Sequence, residues 1–233
     1  MKYTLIIPTL NEIDGVREIM PRIRDEWYDQ LIIVDGNSTD GTIEYLRKKG
    51  YPVYLQKKKG MRNAYMEIYD LIEGDIVMTF SPDGNSIPEL IPQLREKMVE
   101  GYDMVIVSRY LEDATSEDDN SITGFGNWLF TKAINMLHGS SYTDAMVMFR
   151  AYRKDLIKML DLHKDETYWP ESIFWTNLSW EPILSVRCAK RKLKVTEIPG
   201  NEPKRIGGER KLQIIRWGLG YMAQVIAETV YWR

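Results

Sequence analysis

Cysteine is almost missing from this chain of 233 residues, where Cys188 stands alone. One thiol cannot close an internal disulfide, and no cysteine cluster exists for zinc. A reducing, cytoplasmic setting fits that usage. Histidine is equally scarce: His138 and His163 are the only two. Neither falls in a motif, so both read as structural or solvated rather than catalytic. An excess of positive charge is also absent. The formal net charge is −3, which supplies no basic field for nucleic acid. No apolar run approaches the roughly 18 residues a membrane-crossing helix needs. The apolar opening, residues 3–8, is too short for a signal peptide and reads as a strand. Internal repeats and low-complexity linkers are absent as well.

What remains is an ordinary globular composition, 44% hydrophobic and 28% charged, long enough for one large α/β domain or two small ones. Apolar strand-like runs at 3–8, 31–34, 53–55, 76–80 and 104–107 alternate with helical spacing at 14–28, 42–48, 61–72 and 86–99. Gly50 suits a helix stop, and Ser86 with Glu89 suits a capping box, although Pro92 implies that this helix begins late or bends. The alternation predicts a mostly parallel sheet with helices on both faces. It then breaks down. Residues 112–119 are acidic and aperiodic, and read as a mobile surface loop. Helices are expected at 122–138, 153–160 and 181–191, a mixed stretch at 144–152, a strand at 192–198 and a basic Pro/Gly-rich loop at 199–209.

In the last segment, residues 211–233, Gln213, Arg216, Gly220, Gln224 and Glu228 form a narrow polar stripe on an otherwise apolar helix. Such a helix packs on its own domain or a second subunit, or lies in a membrane interface with its aromatic residues as anchors.

One stretch organises the rest. The apolar run Ile76–Phe80 ends abruptly in Ser81-Pro82-Asp83-Gly84-Asn85. A buried parallel strand reads this way where it leaves the C-terminal edge of a sheet, and ligands bind at that edge. Asp83 and Asn85, two apart, can both offer oxygens to one hard cation. The same residues also make an ordinary turn without any metal.

The surrounding motifs bear on that choice. Ile6-Ile7-Pro8-Thr9-Leu10-Asn11-Glu12, Ile33-Val34-Asp35-Gly36-Asn37-Ser38-Thr39-Asp40-Gly41-Thr42, Ser81-Pro82-Asp83-Gly84-Asn85, Ser108-Arg109-Tyr110 and Met148-Phe149-Arg150-Ala151-Tyr152-Arg153 follow in order. Together they resemble the family-2 glycosyltransferases of the GT-A fold, and within them the dolichyl- and polyprenyl-phosphate sugar synthases, mannose and glucose enzymes among them. The resemblance covers residues 3–212. It implies one α/β GT-A (Rossmann-like) domain over 1–210, with a nucleotide-sugar half up to about 110, an acceptor half at 111–210, and a C-terminal amphipathic helix at 211–233.

The resemblance also implies roles. Thr9, Glu12 and Asp35 would hold the donor's ribose and base, Gly60 would pass close to the nucleotide, Arg62 would reach a phosphate, and Pro8 and Ser81 are further donor-binding positions. Asp83 would hold Mg²⁺ or Mn²⁺ together with Asn85. Ser81 stands where the family's first acid is usual, so the site has one carboxylate fewer. Ser108 and Arg109 would meet an acceptor phosphate. The second arginine usual in that branch is missing from 122–127, and Arg205 and Lys211 would compensate. Asp144 lies on the acceptor side, and the Glu181-to-Arg187 spacing resembles the segment that holds a general base in hydroxyl-acceptor enzymes.

The implied partners are a nucleoside-diphosphate sugar and a lipid-phosphate or glycan acceptor, with no nucleic acid. Peripheral membrane contact through 211–233, at the inner face of the membrane, and a homodimer are further expectations. The implied reaction is a single displacement with inversion in cell-envelope glycan synthesis. A lipid phosphate needs no general base, whereas a sugar hydroxyl needs Glu181 or Asp144. A nucleotide-sugar-binding protein with little catalysis is the alternative of another class.

Overall fold

The computed structural model describes residues 1–164, 168–176, 178–207 and 214–232. The aliphatic run at the N-terminus becomes β1 (Tyr3–Thr9), and all seven of its residues are buried. Burial on both faces is what a central parallel strand requires. Strands β2 (Gln30–Asp35), β3 (Val53–Leu55), β4 (Ile76–Thr79), β5 (Met104–Ser108), β6 (Arg150–Arg153) and β7 (Val195–Pro199) complete a sheet of order β3-β2-β1-β4-β6-β5-β7. Only β6 runs antiparallel to its neighbours.

Strand side chains alternate between two cores, as the twofold period demands. Leu5, Ile7, Ile33, Val105 and Val107 face one side. There they pack with Val16 and Ile19 of α1 (Ile13–Ile19), Leu46 of α2 (Thr42–Lys48), and Ile91, Leu94 and Met98 of α4 (Ile91–Val99). Ile6, Ile32, Val34, Val77 and Ile106 face the other side. There they meet α3 (Met61–Ile68), α5 (Ser121–His138) and α8 (Trp180–Lys190), with Tyr221 and Val225 of α9 (Ile214–Val230) closing the layer. Two short helices, α6 (Leu156–Met159) and α7 (Trp169–Phe174), fill the connections.

Several expectations change. The helix expected at 14–28 stops at Ile19, because Pro21 converts the chain to a tight 3₁₀ turn at Met20–Arg22. The capping box at Ser86 does not form. Helix α4 starts at Ile91 with Pro92 in its first turn, where a missing N–H costs nothing, and the Ser86 hydroxyl instead donates to Asn85. The mixed stretch conceals β6, whose Arg150 and Arg153 disguise it. The Arg150 guanidinium is fully buried and donates to Val147, Ala145 and Glu181 carbonyls and to the Ser185 hydroxyl.

The acidic stretch 112–119 is pinned rather than mobile. Ser116 pairs with Glu202 as a parallel bridge; Glu117 N–H donates to the Glu202 carbonyl and Glu202 N–H to the Thr115 carbonyl, each at 2.8 Å. The polar stripe of helix α9 does not face solvent. Gln224 and Glu228 of the polar stripe are buried, while Leu219, Ile226 and Val230 are exposed. The reason is Arg187 of α8, whose buried guanidinium meets Glu228 at 2.8 Å.

Candidate functional site

Strands β1, β2, β4, β5 and β7 run in one direction, so their C-terminal ends share one sheet edge. The antiparallel β6 begins at that same edge. Topology therefore gathers Thr9, Asp35, Ser81 to Asn85, Ser108 to Tyr110, Asp144 and residues 200–207 along a single rim.

On the β1–β2 side, Asp35 is fully buried and accepts from Thr9 Oγ1, Ser38 Oγ and Ser38 N, each at 2.7 Å. Pro8 is buried in β1 opposite Val34. Gly60 heads α3, and its carbonyl accepts from Gln56 Nε2 at 2.7 Å.

Asp83 follows β4. Its loop lies directly against α1 because Gly15 has no side chain: a Cβ there would stand 2.4 Å from the Pro82 carbonyl oxygen. The Asp83 carboxylate is buried, takes the Asn85 N–H at 3.2 Å and pairs with Arg205 at 3.0 Å. Arg205 also lies 3.7 Å from Glu12. Ser81 is half-buried beside this group.

On the β5 side, Arg109 grips Asp144 through Nε at 2.6 Å and Nη2 at 3.1 Å. Its Nη1 lies 3.2 Å from both Glu202 oxygens and 3.6 Å from Asp119. Burial opposes the charge on Arg109, yet Asp144 and then Glu202 hold its pKa well above the usual arginine value. Burial pushes the Glu202 carboxyl above the usual carboxylate range, against the pull of Arg109 and the Ser116 hydroxyl. Burial likewise raises Glu197, which accepts from the backbone N–H groups of Thr143 and Asp144. The Ser108 hydroxyl is buried against the Thr143 hydroxyl.

Glu202 joins the two sides. One oxygen takes the Asn85 side-chain amide at 3.4 Å while the carboxylate faces Arg109. No motif pointed to it. It is the first acidic residue after β7, and its relevance appears only once β7 is known to pair with β5.

Two candidates lie elsewhere. Arg62 forms a buried ion pair with Glu171 of α7 at 3.0 Å and stacks over Tyr168. Glu181 accepts the Tyr65 hydroxyl at 2.7 Å between α3 and α8. Neither is bonded to the Asp83–Arg109 group. Lys211 lies outside the described residues.

The donor set at Asp83 can be tested against a divalent cation. Mg²⁺ is commonly held by one or two carboxylates, with substrate phosphates and water completing its shell. The buried Asp83 carboxylate, already holding a guanidinium, and the Asn85 amide oxygen fit that demand once a diphosphate is supplied. Among the described residues no group of three or more His, Cys, Asp or Glu could hold a metal without such help.

Comparison with known proteins sets this geometry in context. The family model described as glycosyl transferase family 2 matches residues 4–160. Glycosyltransferase AglJ of Haloferax volcanii is 27% identical over 216 residues, covering 92% of this chain and 67% of that protein. The undecaprenyl-phosphate 4-deoxy-4-formamido-L-arabinose transferase of Edwardsiella ictaluri is 29% identical over 227 residues, covering 91% of this chain and 63% of that one. The chain thus spans about two thirds of the length of these relatives. Among solved structures, glucosyl-3-phosphoglycerate synthase of Mycobacterium tuberculosis with Mn²⁺, UDP and phosphoglyceric acid superposes with a TM-score of 0.68 at 19% identity, covering 97% of this chain and 76% of that one. The same synthase with Mg²⁺ and UDP gives a TM-score of 0.67 at 19% identity, covering 97% and 77%. That likeness establishes the GT-A fold.

Proposed function

The chain belongs to glycosyl transferase family 2, and from that premise we propose that it moves a sugar from a nucleoside diphosphate to a lipid-linked acceptor, a polyprenyl phosphate, in envelope glycan synthesis. The observation that carries this reading is the pairing of two subsites on one rim. Asp83, at the end of β4, offers a buried carboxylate suited to a cation on a diphosphate. Arg109, at the end of β5, offers a buried, permanently charged fork suited to an acceptor phosphate. Glu202 touches both corners.

In this mechanism Thr9, Glu12 and Asp35 orient the nucleoside of the donor, since ribose hydroxyls and base N–H groups are donors. Asp83 and Asn85 would hold Mg²⁺ or Mn²⁺, which when bound neutralises charge developing on the departing diphosphate. Arg109 aligns the acceptor phosphate, whose oxygen is already anionic, so displacement needs no general base. Attack opposite the leaving diphosphate inverts the anomeric centre. Asp144 holds Arg109 in register.

The acceptor also suggests where the protein works. Among the described residues no helix is long and apolar enough to cross a membrane. Exposed Ile122, Phe125 and Leu129 on α5, Trp175 after α7, and Leu219 and Ile226 on α9 form apolar surface. That surface suits peripheral contact with the cytoplasmic face of a membrane or pairing with a second copy. Sedimentation with anionic vesicles separates these two, since only the first moves the protein with lipid.

A second reading has its own support. Three carboxylates, Asp119, Asp144 and Glu202, already surround Arg109, which favours an uncharged sugar hydroxyl over a phosphate. The deciding experiment measures turnover of GDP- and UDP-sugars, with and without Mn²⁺, against a polyprenyl phosphate and a saccharide acceptor. Transfer to the lipid phosphate alone, lost in Asp83→Ala, is the expected result. Transfer to the saccharide alone overturns the lipid reading. Donor binding without either product leaves a nucleotide-sugar-binding protein.

A further inference from the structure

One short segment after β7 reaches into both subsites. Glu202 presents its carboxylate to Arg109 Nη1, with both oxygens at 3.2 Å. Three residues on, Arg205 presents its guanidinium to Asp83 at 3.0 Å. The charges are those of the ligands expected there. An anion sits on the arginine assigned to the acceptor phosphate, and a cation sits on the carboxylate assigned to the metal.

The segment is built to dock. Ile206 N–H donates to the Asp83 carbonyl at 2.8 Å. The Ile206 side chain covers Gly84, whose φ is +89° and whose missing Cβ would stand 2.4 Å from Ile206 Cγ1. Any other residue at 84 would be strained and would push the segment away. At its other end, Glu202 is fixed to Ser116 by the parallel bridge and by the Ser116 hydroxyl. The docking is nevertheless incomplete for a permanent structural element. Arg205 Nε is buried with no hydrogen-bond partner among the described residues. A buried guanidinium left with an idle donor still has bonding capacity for another anion.

We propose that residues 202–206 form a strap that imitates both ligands, Glu202 standing in for the acceptor phosphate on Arg109 and Arg205 for the metal on Asp83. This rests on the function proposed above and adds a consequence to it. Both ligands must displace the same strap, so binding at one subsite weakens its hold at the other. Metal and phosphate then bind with positive, reciprocal coupling. Before either ligand binds, the strap also keeps the Asp83 carboxylate from being buried without a counter-charge. Once lifted, Arg205 is free to turn its fork to the donor diphosphate.

The test uses the full chain and two probes. Mn²⁺ binding is followed by the paramagnetic resonance signal of the free ion, and inorganic phosphate binding by calorimetry. Arg205→Ala is expected to tighten Mn²⁺ by about 5-fold or more, and Glu202→Gln to tighten phosphate by a similar factor. Each gain should vanish when Asp83→Ala or Arg109→Gln is added. Amide exchange in the unmodified protein provides a measurement that needs no variant: Mn²⁺ with phosphate should accelerate exchange at Glu202 and Ile206 together. Unchanged or weakened Mn²⁺ affinity in Arg205→Ala, or unchanged exchange at saturating probes, overturns the strap. Absence of Mn²⁺ binding in every variant overturns the metal assignment and the Arg205 half with it. Wild-type transfer to a polyprenyl phosphate, alongside unchanged probe affinities, overturns the strap and leaves the proposed function standing.

Discussion

Arg109 holds Asp144 with two nitrogens, Nε on Oδ2 at 2.6 Å and Nη2 on Oδ1 at 3.1 Å. The Asp144 side chain has no exposure at all. Removing Asp144 takes two charge-assisted hydrogen bonds from Arg109 but leaves Glu202 and Asp119 facing its guanidinium. Asp144→Ala should therefore destabilise the fold by about 1.5–3 kcal/mol, read by urea denaturation. Arg109→Lys keeps the charge but loses the fork. It should cost far less stability, yet slow transfer by about 100-fold through misplacement of the acceptor. Equal damage to stability and turnover in Arg109→Lys would make the residue a plain structural ion-pair partner.

The buried Arg187–Glu228 pair, 2.8 Å apart, is the bond that turns the polar stripe of α9 inward. Glu228→Ala should cost about 3–5 kcal/mol, because a fully enclosed guanidinium then loses its counter-ion. The double variant Arg187→Met, Glu228→Leu should recover most of that loss, since neither charge must then be desolvated. Denaturant midpoints for the two singles and the double measure the coupling directly. Additive losses would remove the ion pair as the reason for the helix's orientation.

His138 gives the α5–α9 contact a pH dependence. It is buried, with Nε2 3.2 Å from the Thr229 hydroxyl of α9. Burial foremost, then Lys190 and Lys192, lowers its pKa below 6.5. Between that lowered value and 6.5 the unfolded chain binds more protons than the folded one. Its stabilising contribution is thus complete above 6.5 and is lost as pH falls through the window. The thermal midpoint should drop more between about pH 7.5 and 5.5 in the wild type than in His138→Gln. Parallel curves would assign the acid sensitivity to other groups.

The sequence carries the β1, β2, β4 and β5 ends of the rim more plainly than the β6 and β7 side, for a physical reason. Strands β1, β2, β4 and β5 are continuous apolar runs ending in turn residues, and their motifs follow in chain order. Thr9, Asp35, Asp83 and Arg109 are thus each read from a strand end. Strand β6 is legible to no such pattern. Its sequence is Arg-Ala-Tyr-Arg, and the burial of Arg150 depends on carbonyls that other segments supply. Glu202 and Asp119 are hidden for a different reason. Each reaches Arg109 across the sheet edge, 93 residues after it for Glu202, and the pairing of β7 beside β5 has no local signature. The burial of the α9 stripe is similar: a polar stripe reads as solvent-facing until a buried arginine on another helix claims it.

Glu181 separates the two acceptor chemistries most cleanly. Its carboxylate accepts the Tyr65 hydroxyl at 2.7 Å, and Tyr65 stacks on Trp180 with ring centroids 5.3 Å apart. This is a packed contact between α3 and α8, with no bond to Asp83, Arg109 or Asp144. An anionic phosphate oxygen attacks without losing a proton, whereas a sugar hydroxyl must give one up, and a positioned base contributes about 100- to 10,000-fold to such a step. Glu181→Gln keeps the shape and can still accept from Tyr65. With a polyprenyl phosphate acceptor it should retain transfer to within about 3-fold of wild type, at unchanged donor affinity. A loss of about 100-fold or more with donor binding intact would identify Glu181 as the proton acceptor. The acceptor would then be a hydroxyl, and Arg109 would have no phosphate to meet.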